Sequence, residues 1–250
     1  MTVDDSWKND ENVDFVSDDK GREMWYRLDK ADVDSQNAPI MLVLHGVGYV
    51  ERPSYYKEKN WNTIKPIDQY GYQSKGSWWL GENKDFFTAN LLHLVVDKCR
   101  RILQNHDGDL FIYGSSMGGY GAILHGASLG ATAIYANVPQ IKLLGSTYSN
   151  NGMLPHFEYI LNDDENNKYN DLTKFLNSTQ APHPLYFICE NRFSSTTNYL
   201  HEHALYLTNW FLENDINFHL EIIPTKGHNK NRGIKEVRQL FEQYCLSPQD

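Results

Sequence analysis

"FIYGSSMGGYGAILHG", Phe111 to Gly126, is an apolar run that breaks into glycines and serines and then resumes as small residues at helical spacing. Gly114-Ser115-Ser116-Met117-Gly118 fits G-x-S-x-G, and it lies between a strand and a helix, the context that pattern requires. Such a bend holds its central residue, Ser116, in a strained conformation and lifts the side chain above the sheet. Glycine two positions to either side removes Cβ atoms that would collide there. The helix beginning at Met117 aims unpaired N–H groups and its positive end at the same point. A glycine-rich turn capped by serine is the plainer alternative.

Further strands and helices extend on both sides of this turn. "EMWYRLD" (Glu23 to Asp29) reads as an early strand, and "IMLVLHG" (Ile40 to Gly46) as one buried on both faces. From Val47 to Glu82 periodicity is lost and Tyr, Trp, Gly and Pro dominate, which suggests a covering segment. A helix is expected from Lys84 to Gln104, with Phe87, Leu91, Leu94, Val95 and Ile102 as its apolar stripe. "DLFIYG", "ATAIYANVP", "PLYFICE" and "NFHLEIIP" read as strands. Helical spacing from Thr197 to Leu212 and from about Arg232 to Cys245 completes the pattern. Strands alternating with helices imply parallel pairing through right-handed crossovers, an α/β architecture with helices on both faces.

The chain has 250 residues, of which 40% are apolar, enough for one well-filled core over residues 21–250. Residues 1–20 are rich in Asp and poor in aliphatics, and read as a flexible acidic arm. A net charge of −9 argues against a nucleic-acid partner. No apolar run reaches the length of a membrane span, and "MTVDDSWKND" lacks the features of a signal peptide, so a cytoplasmic location is expected. Cys99, Cys189 and Cys245 suit neither a disulfide framework nor a zinc site.

A serine nucleophile needs a base oriented by a third group, and in this architecture the partners follow it in the order acid, then His. His228, in "TKGHNKN" after the last strand, satisfies that order. His93 and His125 fall on helices, and the i,i+2 spacing of His201 and His203 splays them around one. Glu190 is the carboxylate at the end of "PLYFICE"; it either accepts from His228 or pairs with Arg192. The oxyanion donors are expected to be the N–H of Met117 and that of Val47 in "LHGVG". Tyr49, Trp78 and Trp79 are candidates for contact with substrate, with burial over the sheet as the alternative.

These residues resemble the α/β-hydrolase superfamily from Glu23 to Cys245, and "YGSSMGGYGA" with "NVPQ" (Asn137 to Gln140) resembles a bacterial subgroup within it. That subgroup includes capsule polysaccharide O-acetyltransferases and accessory-secretion proteins that acetylate sugars. The resemblance implies Ser116 as nucleophile, His228 as base, Glu190 as acid, and Val47 and Met117 at the oxyanion. It departs in two places: Glu190 comes early for the acid, and no apolar strand stands between Gly46 and Lys84. The expected activity is cleavage or transfer of a small acyl group on a carbohydrate or other small-molecule ester. No cofactor or metal is implied, though acetyl-CoA could serve as co-substrate. A carbohydrate-binding protein that keeps the fold without the chemistry is the alternative of a different class.

Overall fold

The computed structural model describes residues 5–193, 197–229 and 231–246. Strands β1 (Val13–Ser17), β2 (Glu23–Asp29), β3 (Ile40–Leu44), β4 (Asn62–Pro66), β5 (Leu110–Ser115), β6 (Ala133–Asn137), β7 (Leu185–Phe193) and β8 (Phe218–Lys226) form one eight-stranded sheet. Their order is β1-β2-β4-β3-β5-β6-β7-β8. The pairs β1–β2 and β2–β4 are antiparallel, and every pair from β4 across to β8 is parallel. β3 and β6 are buried along their whole length, as expected of continuous apolar runs covered on both faces.

Two cores result, because alternate residues of each strand point to opposite faces. On one face Leu42, Leu44 and Ile112 meet helices α1 (Phe87–Leu103), α2 (Met117–Ser128), α3 (Leu154–Leu161), α4 (Leu172–Asn177) and α5 (Tyr206–Glu213). On the other, Met41, Val43, Phe111 and Tyr113 are covered by Trp61 and by Val237 and Phe241 of α6 (Ile234–Phe241). The second face therefore has far less helical cover than the first. The apolar stripe of α1 also differs from expectation. Leu94 and Ile102 are each 42% exposed, and the buried positions are Phe87, Leu91, Leu92, Val95, Val96, Cys99 and Leu103.

The acidic N-terminal segment is not a flexible arm over residues 5–17. Trp7 is buried edge-on to Trp25, and β1 joins the sheet. Asp10, Asp14 and Asp18 pair with Arg27, Lys98 and Arg22, cations supplied by β2, α1 and the turn between β1 and β2. Composition alone does not reveal these partners.

A strand does lie between Gly46 and Lys84. β4, "NTIKP", is buried at all five positions and has a single aliphatic residue, so its polar groups are satisfied by hydrogen bonds. Asn62 donates to Ser35 O at 2.8 Å and Ala38 O at 3.1 Å, and accepts from Ala31 N at 3.0 Å. Lys65, only 1% exposed, donates to Asp29, to Thr63 Oγ1 at 2.7 Å and to Tyr56 O at 3.0 Å. Burial pushes the Lys65 ammonium down to about 8 even with Asp29 beside it. Replacing Asp29 by Ala leaves that ammonium with neutral acceptors only. We expect a loss of about 3 kcal/mol or more in stability, measured by urea denaturation.

Candidate active site

The polypeptide passes from β5 to α2 through one residue. Ser116 has φ 56° and ψ −119°, a conformation that an L-residue adopts only under constraint. The constraint is crowding. A Cβ on Gly114 would lie 1.9 Å from Gly118 O, and one on Gly118 would lie 2.3 Å from Leu44 O and 2.8 Å from His45 O. The turn is fastened by Ser116 N–H donating to Asn137 O at 2.9 Å and by Tyr120 N–H donating to Ser116 O at 3.0 Å.

His228 lies two residues beyond β8, and its Nε2 is 2.8 Å from Ser116 Oγ. The loop that carries it is held by two asparagines at the carboxyl ends of neighbouring strands. Asn191 and Asn137 donate from their side-chain amides to Asn229 O at 3.1 and 3.4 Å, and Asn231 N–H donates to Asn137 Oδ1 at 3.2 Å. The residue remains exposed, yet its ring packs against Tyr148 and Tyr199 with centroids 5.5 and 5.0 Å away. Loss of water from the ring lowers its pKa below the ordinary imidazole value.

Glu190 does not supply the carboxylate behind this imidazole. β7 continues to Phe193, so Glu190 is still within the strand, paired with Ile222 and 2% exposed. Its Oε1 accepts from Asn191 N–H at 2.9 Å, and its Oε2 is buried without a partner. Burial pushes the carboxyl up to about 8, which keeps it protonated at neutral pH. Among the described residues no carboxylate is hydrogen-bonded to His228.

Trp78 and Trp79 are not substrate faces either. Both are fully buried, with left-handed φ of 53° and 60°, in a turn organised by the buried carboxylate of Asp68. Asp68 accepts from Ser77 N–H at 2.7 Å, Trp79 N–H at 2.9 Å and Ser77 Oγ at 3.0 Å. Its own N–H donates to His45 Nε2 at 2.9 Å, which leaves the His45 proton on Nδ1 to donate to Gly46 O at 2.8 Å. Because Gly46 C=O and Val47 N–H belong to one planar peptide and point in opposite directions, His45 fixes the aim of Val47 N–H. That N–H has no partner among the described residues, and Met117 N–H, first in α2, has no carbonyl one turn back to receive it. Val47 and Ser116 open onto one cavity of about 860 Å³, lined also by Tyr49, Arg52, Tyr113 and Ile234.

Two further residues reach Ser116 that sequence reasoning passed over. Gln140 Nε2 is 3.1 Å from its Oγ, and the Tyr148 hydroxyl interacts with the same oxygen. Gln140 stands just beyond the carboxyl end of β6, where ligand-contacting residues gather in open parallel sheets, and that position was the available signal.

His228 accepts a proton only when neutral, and its pKa is lowered. Reaction of Ser116 with a fluorophosphonate should therefore hold its rate from pH 8 to 6.5 and decline only at lower pH. A decline centred at pH 7 or above would mean that a carboxylate reaches the ring.

No family model matches the chain, and no curated protein matches it. Solved structures do. One is FphF, fluorophosphonate-binding serine hydrolase F of Staphylococcus aureus, at 16% identity over 92% of this chain and 94% of that one, with TM-score 0.63. Another is the capsule O-acetyltransferase of Neisseria meningitidis serogroup A, at 19% identity over 90% and 91%, with TM-score 0.66. A third is an S-formylglutathione hydrolase from Agrobacterium tumefaciens, at 13% identity over 94% and 92%, with TM-score 0.65. Strand order, the strained serine after β5 and these likenesses agree: the chain has the α/β-hydrolase fold.

Proposed function

We propose that this chain is a serine-dependent enzyme of the esterase and acyl-transfer kind. The observation that carries the reading is the 2.8 Å approach of His228 Nε2 to the hydroxyl of a serine in a strained conformation. Ser116 Oγ attacks the ester carbonyl while its proton passes to His228 Nε2. Charge gathers on the carbonyl oxygen, where the N–H groups of Val47 and Met117 receive it. As the C–O bond to the leaving group breaks, His228 returns the proton to that oxygen, and an acyl-serine remains. Water or a second hydroxyl, deprotonated by His228, then attacks the acyl carbon and frees Ser116.

The acyl group is proposed to be a small one, acetyl, and the acceptor or leaving group a carbohydrate. An acetyl group fills only a small part of a cavity of about 860 Å³, and the remainder has room for a sugar. Tyr49, 75% exposed, and Tyr55 line it with aromatic faces suited to stacking on a pyranose ring. The likeness to a protein named as a capsule O-acetyltransferase supports the same reading and keeps transfer from a donor such as acetyl-CoA beside hydrolysis, which the likeness to two proteins named as hydrolases supports equally.

With p-nitrophenyl acetate, wild-type protein should turn over and Ser116→Ala should lose at least about 10³-fold in rate. Equal turnover by both would overturn the reading and leave a binding protein. Supplied with acetyl-CoA and capsule-type glycans, the protein should yield acetylated sugar by mass spectrometry. Free acetate alone would make it an esterase.

A further inference from the structure

The hydrogen bonds around Gln140 run in only one direction. The indole N–H of Trp78 can only donate, so the Gln140 oxygen 3.0 Å away is its acceptor, and the amide orientation is thereby fixed. Gln140 Nε2 then presents two protons. One meets Tyr199 Oη at 2.6 Å, whose own proton goes to Val138 O at 2.8 Å. The other meets Ser116 Oγ at 3.1 Å. An amide nitrogen does not accept, so the serine oxygen accepts from Gln140, and its single proton is available to His228 Nε2 at 2.8 Å or to the Tyr148 hydroxyl that meets the same oxygen. Donation of that proton to His228 Nε2 requires a neutral ring with its own proton on Nδ1.

We propose that Gln140 is a catalytic residue: it directs the Ser116 proton toward His228 and stabilises the serine oxygen as that proton leaves. This inference rests on the reading of Ser116 as nucleophile. Gln140, Trp78 and Tyr199 are all buried, so the donor amide is held away from water on its own side of the bond. A hydrogen bond to Oγ strengthens as that oxygen gains negative charge and weakens once it becomes an ester oxygen, so it favours the transition state over both neighbouring states. In other triads a carboxylate behind the imidazole holds the tautomer and orientation of the base. Here the tautomer is set from the serine side, by an amide held between Trp78 and Tyr199. The titratable groups facing this chain are His228, Tyr148, Tyr199, His203 and Glu190. Glu190 is protonated at neutral pH, and burial pushes His203 down to about 3, so neither brings a charge to it.

The test compares wild-type protein with Gln140→Met, which keeps the length of the side chain and loses the donor. Fluorophosphonate labelling of Ser116 should slow by about 10- to 100-fold in Gln140→Met, the rate equivalent of one hydrogen bond to a charged group. On p-nitrophenyl acetate kcat should drop with KM within about twofold. Nitrogen NMR of the imidazole at pH 8 should show one tautomer in wild type, protonated on Nδ1, and a mixture in Gln140→Met. Labelling within twofold of wild type, or a wild-type His228 protonated on Nε2, would overturn the proposal; the second readout needs no variant to fold. Wild-type protein that is not labelled at all would instead overturn the reading of Ser116 as nucleophile.

Discussion

The structure depends on a crowding constraint: β5 must turn into α2 within one residue while β3 passes close enough to contact both. Gly118 lies against Leu44 O and His45 O, and Gly114 lies against Gly118 O. No side chain fits at either position, and the residue between them is forced to a positive φ. This packing raises the Ser116 hydroxyl above the sheet and brings the β3 loop alongside it. The amides of Val47 and Met117 are thereby brought near one serine by the same packing that strains it.

The surroundings of the serine are built as buried hydrogen-bond assemblies. Asp68 joins His45, through its main-chain N–H, to the Ser77–Trp79 turn, through its carboxylate, so the peptide that aims Val47 N–H and the turn that carries Trp78 meet at one residue. Buried polar groups of this sort are costly when half satisfied and rigid when fully satisfied. The turn at Trp78 and Trp79 shows the rigid case, since its left-handed backbone is held by donation from Ser77 N–H and Trp79 N–H to Asp68 and by packing in the core. The cavity, by contrast, opens beside the loop from Gly46 to Tyr55, where helical cover is thin.

What could be read in the sequence follows from what is local. β3, β5 and β6 are apolar runs buried on both faces, and the glycines around Ser116 mark their own bend. His228 could be identified because chain order leaves one histidine in the right loop. β4 was hidden because a strand of Asn, Thr, Ile, Lys and Pro is buried only when Asp29, Tyr56 and Ala38 come from elsewhere to satisfy it. β1 was hidden for the same reason, its one aspartate, Asp14, being paired with Lys98, distant in sequence. Helices α3 and α4 are short and were not anticipated. Glu190 was misjudged by the length of β7: three more strand residues keep its carboxyl inside the sheet. Trp78 and Trp79 follow the alternative reading, burial over the sheet, because aromatic composition does not distinguish a wall that meets ligand from one that meets protein.

The asparagine clamp on the His228 loop has a consequence for how this region can change. Asn137 and Asn191 grip the main-chain oxygen of residue 229, while the Asn229 side chain closes the loop by donating to Lys226 O at 2.7 Å. A substitution at that surface position therefore keeps the grip on the main chain and gives up only the side-chain bond to Lys226 O. The freedom ends at the two amides themselves, whose reach is matched to the spacing of adjacent strands and which no shorter or charged substitute reproduces.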